Sequence, residues 1–418
     1  MPLPTLPPLN WLFVDMNSYF ASAEQHLRPE LRGKPVGVIP VESEGSCLIA
    51  ASVEAKSLGL RMGTRVQEAR LQCPNIQLVR ARPDVYVRLH HEIAKSIDRW
   101  APIHKAYSVD EWALRLGRGQ YEPDEATALG QNIKDQIYSD FSPTLGCSVG
   151  VAATRLLAKI ACDLNKPDGL TVLEIENMPG QLEGLEPEDL CGIGRGIATR
   201  LERHGIRTVR QLWELNRRQA GLIWGSVSGV QWWNAFHGYD EPEVPTRKKS
   251  MGHENVLEPK HRNETGARGI LIRLVSRLGI RLRTDGYVAG AIGINISFSE
   301  GPRFAASMDL PQIQDTRTLL ESLNRLLDRC PAMRSRPIKV GAVVYGLVQS
   351  TQLSGNLFVQ ADREIDLSHT MDTINNRWGL ASIYYGSMHE YRHHMDDKIA
   401  FGRIPPAVTP DANQNQTH

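Results

Sequence analysis

Two short strings carry the acids that could do chemistry in this chain. Trp11-Leu12-Phe13-Val14-Asp15-Met16-Asn17 runs from apolar residues into a carboxylate, and Ala106-Tyr107-Ser108-Val109-Asp110-Glu111-Trp112 runs into two. Each reads as a strand, and strands lying side by side would gather Asp15, Asp110 and Glu111 at one sheet edge. Carboxylates so placed repel one another unless divalent cations share them. All-oxygen ligation favours a hard ion such as Mg²⁺ over zinc. Two cations on shared carboxylates can activate an attacking oxygen and stabilise a leaving one during in-line displacement at phosphorus. For Asp15 alone, an ordinary strand-end acid is as good a reading. It is a poorer one for Asp110 and Glu111, which as neighbours on a strand face opposite ways and both need an outlet. The chemistry requires that the three side chains converge and are not already neutralised by arginine or lysine.

Further strings follow in order. Asp15-Met16-Asn17-Ser18-Tyr19-Phe20-Ala21-Ser22-Ala23-Glu24 is followed by Leu31-Arg32-Gly33-Lys34-Pro35-Val36, then by Ala51-Ser52-Val53-Glu54-Ala55-Lys56 and Gly59-Leu60-Arg61-Met62-Gly63. Ser108-Val109-Asp110-Glu111-Trp112 comes next, then Ser148-Val149-Gly150-Val151-Ala152, Leu157-Ala158-Lys159-Ile160-Ala161 and Asn165-Lys166-Pro167-Asp168-Gly169. Taken together, and in this order, they resemble the motifs of the Y-family, or translesion, DNA polymerases; no single string would suffice. Glu54-Ala55-Lys56 and the long tail look closest to the polymerase V catalytic-subunit (UmuC-like) / DinB-like branch.

The resemblance implies an α+β multidomain right hand. Its palm would be residues 1–30 and 81–175 and its fingers 31–80. A helical thumb with a helix-hairpin-helix would span 176–240 and a linker 241–250. A β-α-β-β-α-β little finger would fill 251–349, with a C-terminal extension over 350–418. The implied activity is low-fidelity, template-directed extension of primer-template DNA from deoxynucleoside triphosphates. Asp15, Asp110 and Glu111 would hold two Mg²⁺ ions (Mn²⁺ able to substitute), with the Met16 carbonyl completing one shell. Phe20 stands at the steric-gate position, where a ring excludes a ribose 2′-OH; outside this motif it would read as a core aromatic. Tyr19 would lie beside it, and the turn at Asn17 and Ser18 would face phosphate. Ser52, Lys56 and Lys166 complete the implied nucleotide set. Lys56 stands where many members have arginine, and a lysine is a point charge rather than a bidentate fork. Val53 and Ser18 replace frequent tyrosines, so nucleotide affinity is where the chain departs most from the pattern. Cys47 and Ile49 would roof the nascent base pair.

Residue spacing predicts strands at 35–39, 47–50, 103–108 and 112–116, and helices at 53–58, 64–73, 86–99, 125–139 and 155–164. Formal net charge is +1, which argues neither for nor against a nucleic-acid partner. Distribution is more informative: Arg195, Arg200, Arg203, Arg207 and Arg210 form one run, and Arg268, Arg273, Arg277, Arg281 and Arg283 another. Two such runs suit a protein that straddles a polyanion. Gly192-Ile193-Gly194 with Arg195 reads as a turn whose amides can meet a DNA phosphate without reading bases. The six cysteines form no Cys-x-x-Cys pair, which suggests reduced thiols in a cytoplasmic protein. No long apolar stretch points to a membrane.

Two further motifs lie in the tail. Gln352-Leu353-Ser354-Gly355-Asn356-Leu357-Phe358 resembles a sliding-clamp-binding peptide, with Gln352, Leu353, Leu357 and Phe358 as anchors; packing of Leu357 and Phe358 onto the preceding domain is an equal alternative. His389-Glu390-Tyr391-Arg392-His393 matches the zinc-peptidase string, but its charged surroundings argue against a buried metal site. Accessory mutagenesis proteins are further implied partners. The rival reading is a family homologue without catalysis that acts as a DNA-binding recruitment scaffold.

Overall fold

The computed structural model describes residues 8–243, 247–352, 359–379, 381–394 and 404. The chain divides into two compact units that part between Glu243 and Val244.

The first unit opens with β1 (Trp11–Met16), α1 (Tyr19–Leu27), β2 (Val36–Ile39), β3 (Ala50–Ala51), α2 (Val53–Ser57), α3 (Val66–Gln72) and β4 (Gln77–Arg80). Then come α4 (Pro83–Asp98), β5 (Ile103–Ser108), β6 (Glu111–Arg115), α5 (Pro123–Asp140), β7 (Cys147–Ala152), α6 (Arg155–Leu164) and β8 (Leu170–Leu173). Four short helices complete it: α7 (Arg195–Arg203), α8 (Val209–Trp213), α9 (Arg217–Trp224) and α10 (Val227–Phe236).

The main sheet has the order β5-β6-β1-β7-β8. Strand alternation divides β1 between two cores. Leu12, Val14 and Met16 pack with residues of α4 and α5, whereas Trp11 and Phe13 pack with α6 and the short C-terminal helices. Asp15 is in phase with Trp11 and Phe13, so it faces α6. Helix α6 lies hard against β7: a Cβ on Gly150 would stand 2.1 Å from the Ala158 carbonyl oxygen, so only glycine lets the helix approach.

The segment 31–80 forms its own small sheet, β3-β2-β4, with β2 and β4 parallel. The strand expected at 47–50 shrinks to Ala50–Ala51, with Cys47 making one isolated bridge to Arg65. The amides of Leu48 and Ile49 go to different partners, Thr64 and Val38, so no continuous ladder runs through 47–49.

The second unit contains β9 (Ser250–Val256), α11 (Glu264–Thr284), β10 (Tyr287–Phe298), β11 (Phe304–Ile313), α12 (Thr316–Leu327), β12 (Pro337–Tyr345), β13 (Val348–Gln349) and α13 (Val359–Trp378), then a 3₁₀ segment at Gly386–His394. Its sheet order is β11-β10-β12-β9. Elements β9 to β12 follow the expected β-α-β-β-α-β course.

One expectation needs correction here. After residue 350, α13 packs on α11 and α12, the 3₁₀ segment packs on α11, and Tyr391 enters the core. Consequently the second arginine run is not an open basic face. Arg273 and Arg283 are buried, and Arg268, Arg277 and Arg281 are half-buried. Arg283 Nε and Nη2 donate to both carboxylate oxygens of Asp372 on α13 (2.6 and 2.9 Å). A helix covered by sheet on one side and by further helices on the other leaves its arginines to structural work. Among the described residues, no helix is long and apolar enough to cross a membrane.

Candidate active site

β1 and β6 pair so that Asp15 and Glu111 are direct Cα partners, and both project toward α6. Asp110 does not sit on a strand. It occupies the two-residue turn between Ser108 and Glu111, so the expected conflict of opposite faces does not arise. Its carbonyl accepts from the Met16 amide at 3.0 Å, which brings it to the end of β1. Ser108 Oγ lies 2.5 Å from Asp110 Oδ1 and 3.1 Å from Glu111 Oε2, gathering the two acids. The three carboxylates thus converge.

The requirement that lysine stay away is not met. Lys159 Nζ, from α6, contacts Asp15 Oδ2 and lies 2.8 Å from Glu111 Oε1 and 3.2 Å from Asp163 Oδ1. Lys166 Nζ is 2.8 Å from Asp15 Oδ2 and 2.7 Å from Asp163 Oδ1. Residues fit to grip an anionic substrate beside cation-binding carboxylates must share one pocket with them; with nothing between, the opposite charges close on each other. Neutralisation by lysine was therefore too strict a ground for rejecting the chemistry.

Lys159 and Asp163 are site residues that the motif reading did not single out. Their i,i+4 spacing on α6, three residues before Lys166, was the available signal.

The balance of charge differs among the acids. Burial works to raise the Asp15 pKa, but Lys159 and Lys166 outweigh it and the net shift is downward. Asp110 has no ion-pair partner among the described residues. Burial first, then the charges of Asp15 and Glu111, push it up to about 6 against the opposing Ser108 hydrogen bond. Between the ordinary value of 3.8 and about 6, the folded chain holds a proton the unfolded chain has lost, so stability falls as pH rises through that window. Asp110→Asn, free of metal, is accordingly expected to melt above the wild type at pH 7.5, with the difference gone near pH 4. Scanning calorimetry in a chelating buffer checks this; a wild type that melts higher at pH 7.5 contradicts it.

As they lie, no three His, Cys, Asp or Glu side chains among the described residues stand in metal-holding positions, and Asp15 and Glu111 are paired with lysine. The donor set nevertheless fits hard divalent cations. It is oxygen-only, and Asp110 stands in it with no ion-pair partner among the described residues.

The first turn of α1 presents Phe20. Its ring is half-buried and stacks on Tyr86 of α4, with centroids 4.5 Å apart and planes at 15°. Tyr86 is held in turn: its hydroxyl donates to Glu24 Oε1 at 2.8 Å. Glu24 is fully buried and accepts from Arg82 Nη2 at 2.6 Å and Nε at 3.0 Å. Tyr86, Glu24 and Arg82 were not anticipated, since nothing local in sequence links them.

Several expected nucleotide contacts are engaged elsewhere. The Tyr19 ring is buried and its hydroxyl donates to the Tyr86 carbonyl at 2.7 Å. The Asn17 amide donates to the Gly146 carbonyl at 2.8 Å, and its side chain accepts from Ser148 Oγ at 3.0 Å. Ser52 is fully buried and caps α2, accepting from the Val36 and Ala55 amides; it is a structural cap, not a nucleotide ligand. Ser18 adopts φ 53, and its hydroxyl is buried with no hydrogen-bond partner. Lys56 is exposed on α2; its pKa is lowered by desolvation, then by Lys166, against the pull of Asp15 and Asp110. Cys47 is exposed and Ile49 half-buried ahead of β3.

Gly192 has φ 91, and a Cβ there would stand 2.7 Å from Trp232 Nε1, so the turn before α7 demands glycine. Gly194 caps α7 and Arg195 opens it. Within the first arginine run, Arg200 donates to the Trp224 carbonyl at 2.6 Å and Arg210 pairs with Glu183, while Arg195, Arg203 and Arg207 are exposed. Leu353, Leu357 and Phe358 lie outside the described residues; Gln352 is exposed. The His389 string lies on a 3₁₀ segment, whose three residues per turn do not align positions four apart.

Comparison with known proteins covers most of the chain. Residues 14–163 match the impB/mucB/samB family and residues 248–357 match that family's C-terminal domain. DNA polymerase IV of Moorella thermoacetica is 31% identical over 381 residues, 89% of this chain and 94% of the relative. DNA polymerase IV of Alkalilimnicola ehrlichii is 28% identical over 81% of this chain and 96% of the relative. Among solved structures, the Y-family DNA polymerase chimera Dbh-Dpo4(243-245)-Dbh aligns with a TM-score of 0.67 at 23% identity, over 81% of this chain and 99% of the chimera. An insertion ternary complex of Dbh DNA polymerase aligns with a TM-score of 0.55 at 22% identity over the same shares.

Proposed function

Because this chain belongs to the impB/mucB/samB family, the Y family of translesion DNA polymerases, we infer that its converging acids and lysines form a nucleotidyl-transfer centre. The protein is a DNA-directed DNA polymerase of the translesion type. Its relatives named above are polymerase IV enzymes, so the branch is DinB-like. The leaning toward polymerase V rested on one tripeptide and the tail, and a match over 381 residues outweighs it.

The observation that carries the catalytic reading is the convergence of Asp15, Asp110 and Glu111 beside Lys159 and Lys166. Enzymes of this family depend on metal ions; here Asp15, Asp110 and Glu111, with the Met16 carbonyl, would hold two Mg²⁺, and Mn²⁺ would serve in their place. Bound there, the cations would supply Lewis-acid activation of the primer 3′-OH and charge stabilisation at the triphosphate. Lys166 and Lys56 would pair with the triphosphate, releasing Asp15 from its lysine partner as substrate enters. Lys159 would remain beside Asp15 and Glu111 and keep their separation fixed. Phe20 would close the space a ribose 2′-OH needs, and Cys47 and Ile49 would face the nascent pair from the fingers. The Gly192–Arg195 turn would meet duplex phosphates through backbone amides.

A sliding clamp would dock the Gln352–Phe358 peptide, raising local concentration at the primer, and accessory mutagenesis proteins are further partners in this reading.

Primer extension across an abasic template site tests the catalytic reading against a scaffold role. Extension by the wild type and none by Asp110→Ala is expected; no extension by the wild type on any template would favour the scaffold.

A further inference from the structure

We propose that Lys134 on α5 is a positioning residue for the loop that presents Lys166, so that a buried ammonium on the far side of the loop sets the grip on the triphosphate. The inference rests on the reading of Lys166 as a triphosphate ligand.

Lys134 projects from the buried face of α5, which also carries Ala126, Leu129, Gly130, Ile133 and Ile137. Its side chain is only 6% exposed. It donates to the carbonyl of Asp168 and lies 3.0 Å from that residue's Oδ1. Tyr138, one turn further along, donates its hydroxyl to the same carboxylate. Asp168 itself sits at φ 65, a conformation that local contacts must hold. Two residues away, Lys166 Nζ reaches Asp15 and Asp163. The loop is tied elsewhere by the Gly169 carbonyl to the Val149 amide (2.9 Å) and by Asn165 Nδ2 to Thr171 Oγ1 (2.9 Å).

A lysine is an expensive way to fill this position. Burying an ammonium is unfavourable, and an apolar side chain of like volume is often as stable or more so. Asp168, half exposed, would be hydrated without it. What Lys134 supplies that an apolar residue cannot is a fixed Asp168, and through two peptide units a fixed Lys166. Misplacing a binding group by about 1 Å can cost on the order of a hundredfold.

The test is single-nucleotide insertion by full-length protein, with kcat and KM for the deoxynucleotide measured for Lys134→Met, Lys134→Arg, Lys166→Met and the Lys134→Met/Lys166→Met double variant. Lys134→Met is expected to raise KM about tenfold with kcat within about twofold and no loss of melting temperature. Lys134→Arg, which keeps donors toward Asp168, should return KM to within about threefold of the wild type. The double variant should be no worse in KM than Lys166→Met alone, because both changes remove one interaction. A Lys134→Met KM at the wild-type value while Lys166→Met raises it would overturn the proposal and leave the reading of Lys166 intact. Additive effects in the double variant would also overturn it, since Lys134 would then act by another route. A Lys166→Met KM equal to that of the wild type would instead remove the triphosphate role of Lys166, and the proposal with it.

Discussion

Asp110→Ala is expected to slow nucleotide addition by about 10²–10³-fold or more, the effect of losing roughly 3–4 kcal/mol of charge stabilisation at the reacting phosphate. Asp110 is the cleanest of the three acids to remove. Asp15 is bound to Lys159 and Lys166, and Glu111 to Lys159, so replacing either removes an ion-pair partner from the lysine cluster and confounds chemistry with stability. Asp110 carries no such partner among the described residues, and its raised pKa marks it as a group the empty fold would do better without. The same position is thus expected to gain stability and lose activity when its charge is removed, as preorganised sites do. Rapid-quench measurement at saturating nucleotide and Mg²⁺, with primer-template affinity followed in parallel, separates rate from binding. A rate within tenfold of the wild type, with DNA affinity unchanged, would take Asp110 out of the reaction.

The second large effect is in sugar selection. Phe20→Ala should lower the preference for deoxy- over ribonucleotides by about two orders of magnitude, mostly through faster ribonucleotide insertion. A wall selects only if it cannot swing aside. The Phe20 ring is backed by Tyr86 in a near-parallel stack, Tyr86 is tied to Glu24, and Glu24 is gripped at two points by Arg82. The ratio of kcat/KM for paired ribo- and deoxynucleotides measures the effect. Unchanged discrimination in Phe20→Ala would return Phe20 to a packing role.

The acids were legible in the sequence because each stands beside an apolar run that reads as strand. The register that makes Asp15 face Glu111 follows from period-two alternation once the strands are paired. The turn placement of Asp110 was less visible: Ser108-Val109-Asp110-Glu111 reads as unbroken strand until its hairpin is seen. Ser52 misled for a related reason. A serine one position before a helix is as good a cap as a ligand, and only its burial against the Val36 amide decides between them. Lys166 was legible from its motif, whereas the roles of Lys159 and Asp163 were hidden by chain distance. Lys159 meets Asp15 because Gly150 lets α6 lie on the sheet, a fact about packing rather than composition. The arginines of α11 were misread as a basic face because the covering helix α13 begins about 75 residues after α11 ends. No window of periodicity spans that gap.

The central claim is that Asp15, Asp110 and Glu111 bind two divalent cations beside an incoming triphosphate, with Lys166 turning from Asp15 to the phosphates. Counting Mn²⁺ bound per chain by electron paramagnetic resonance, in a complex with dideoxy-terminated primer-template and the next correct deoxynucleotide, tests it most directly. Two bound Mn²⁺ in the wild type and no more than one in Asp110→Asn is the expected result; the same number in both, or none in the wild type, would contradict it.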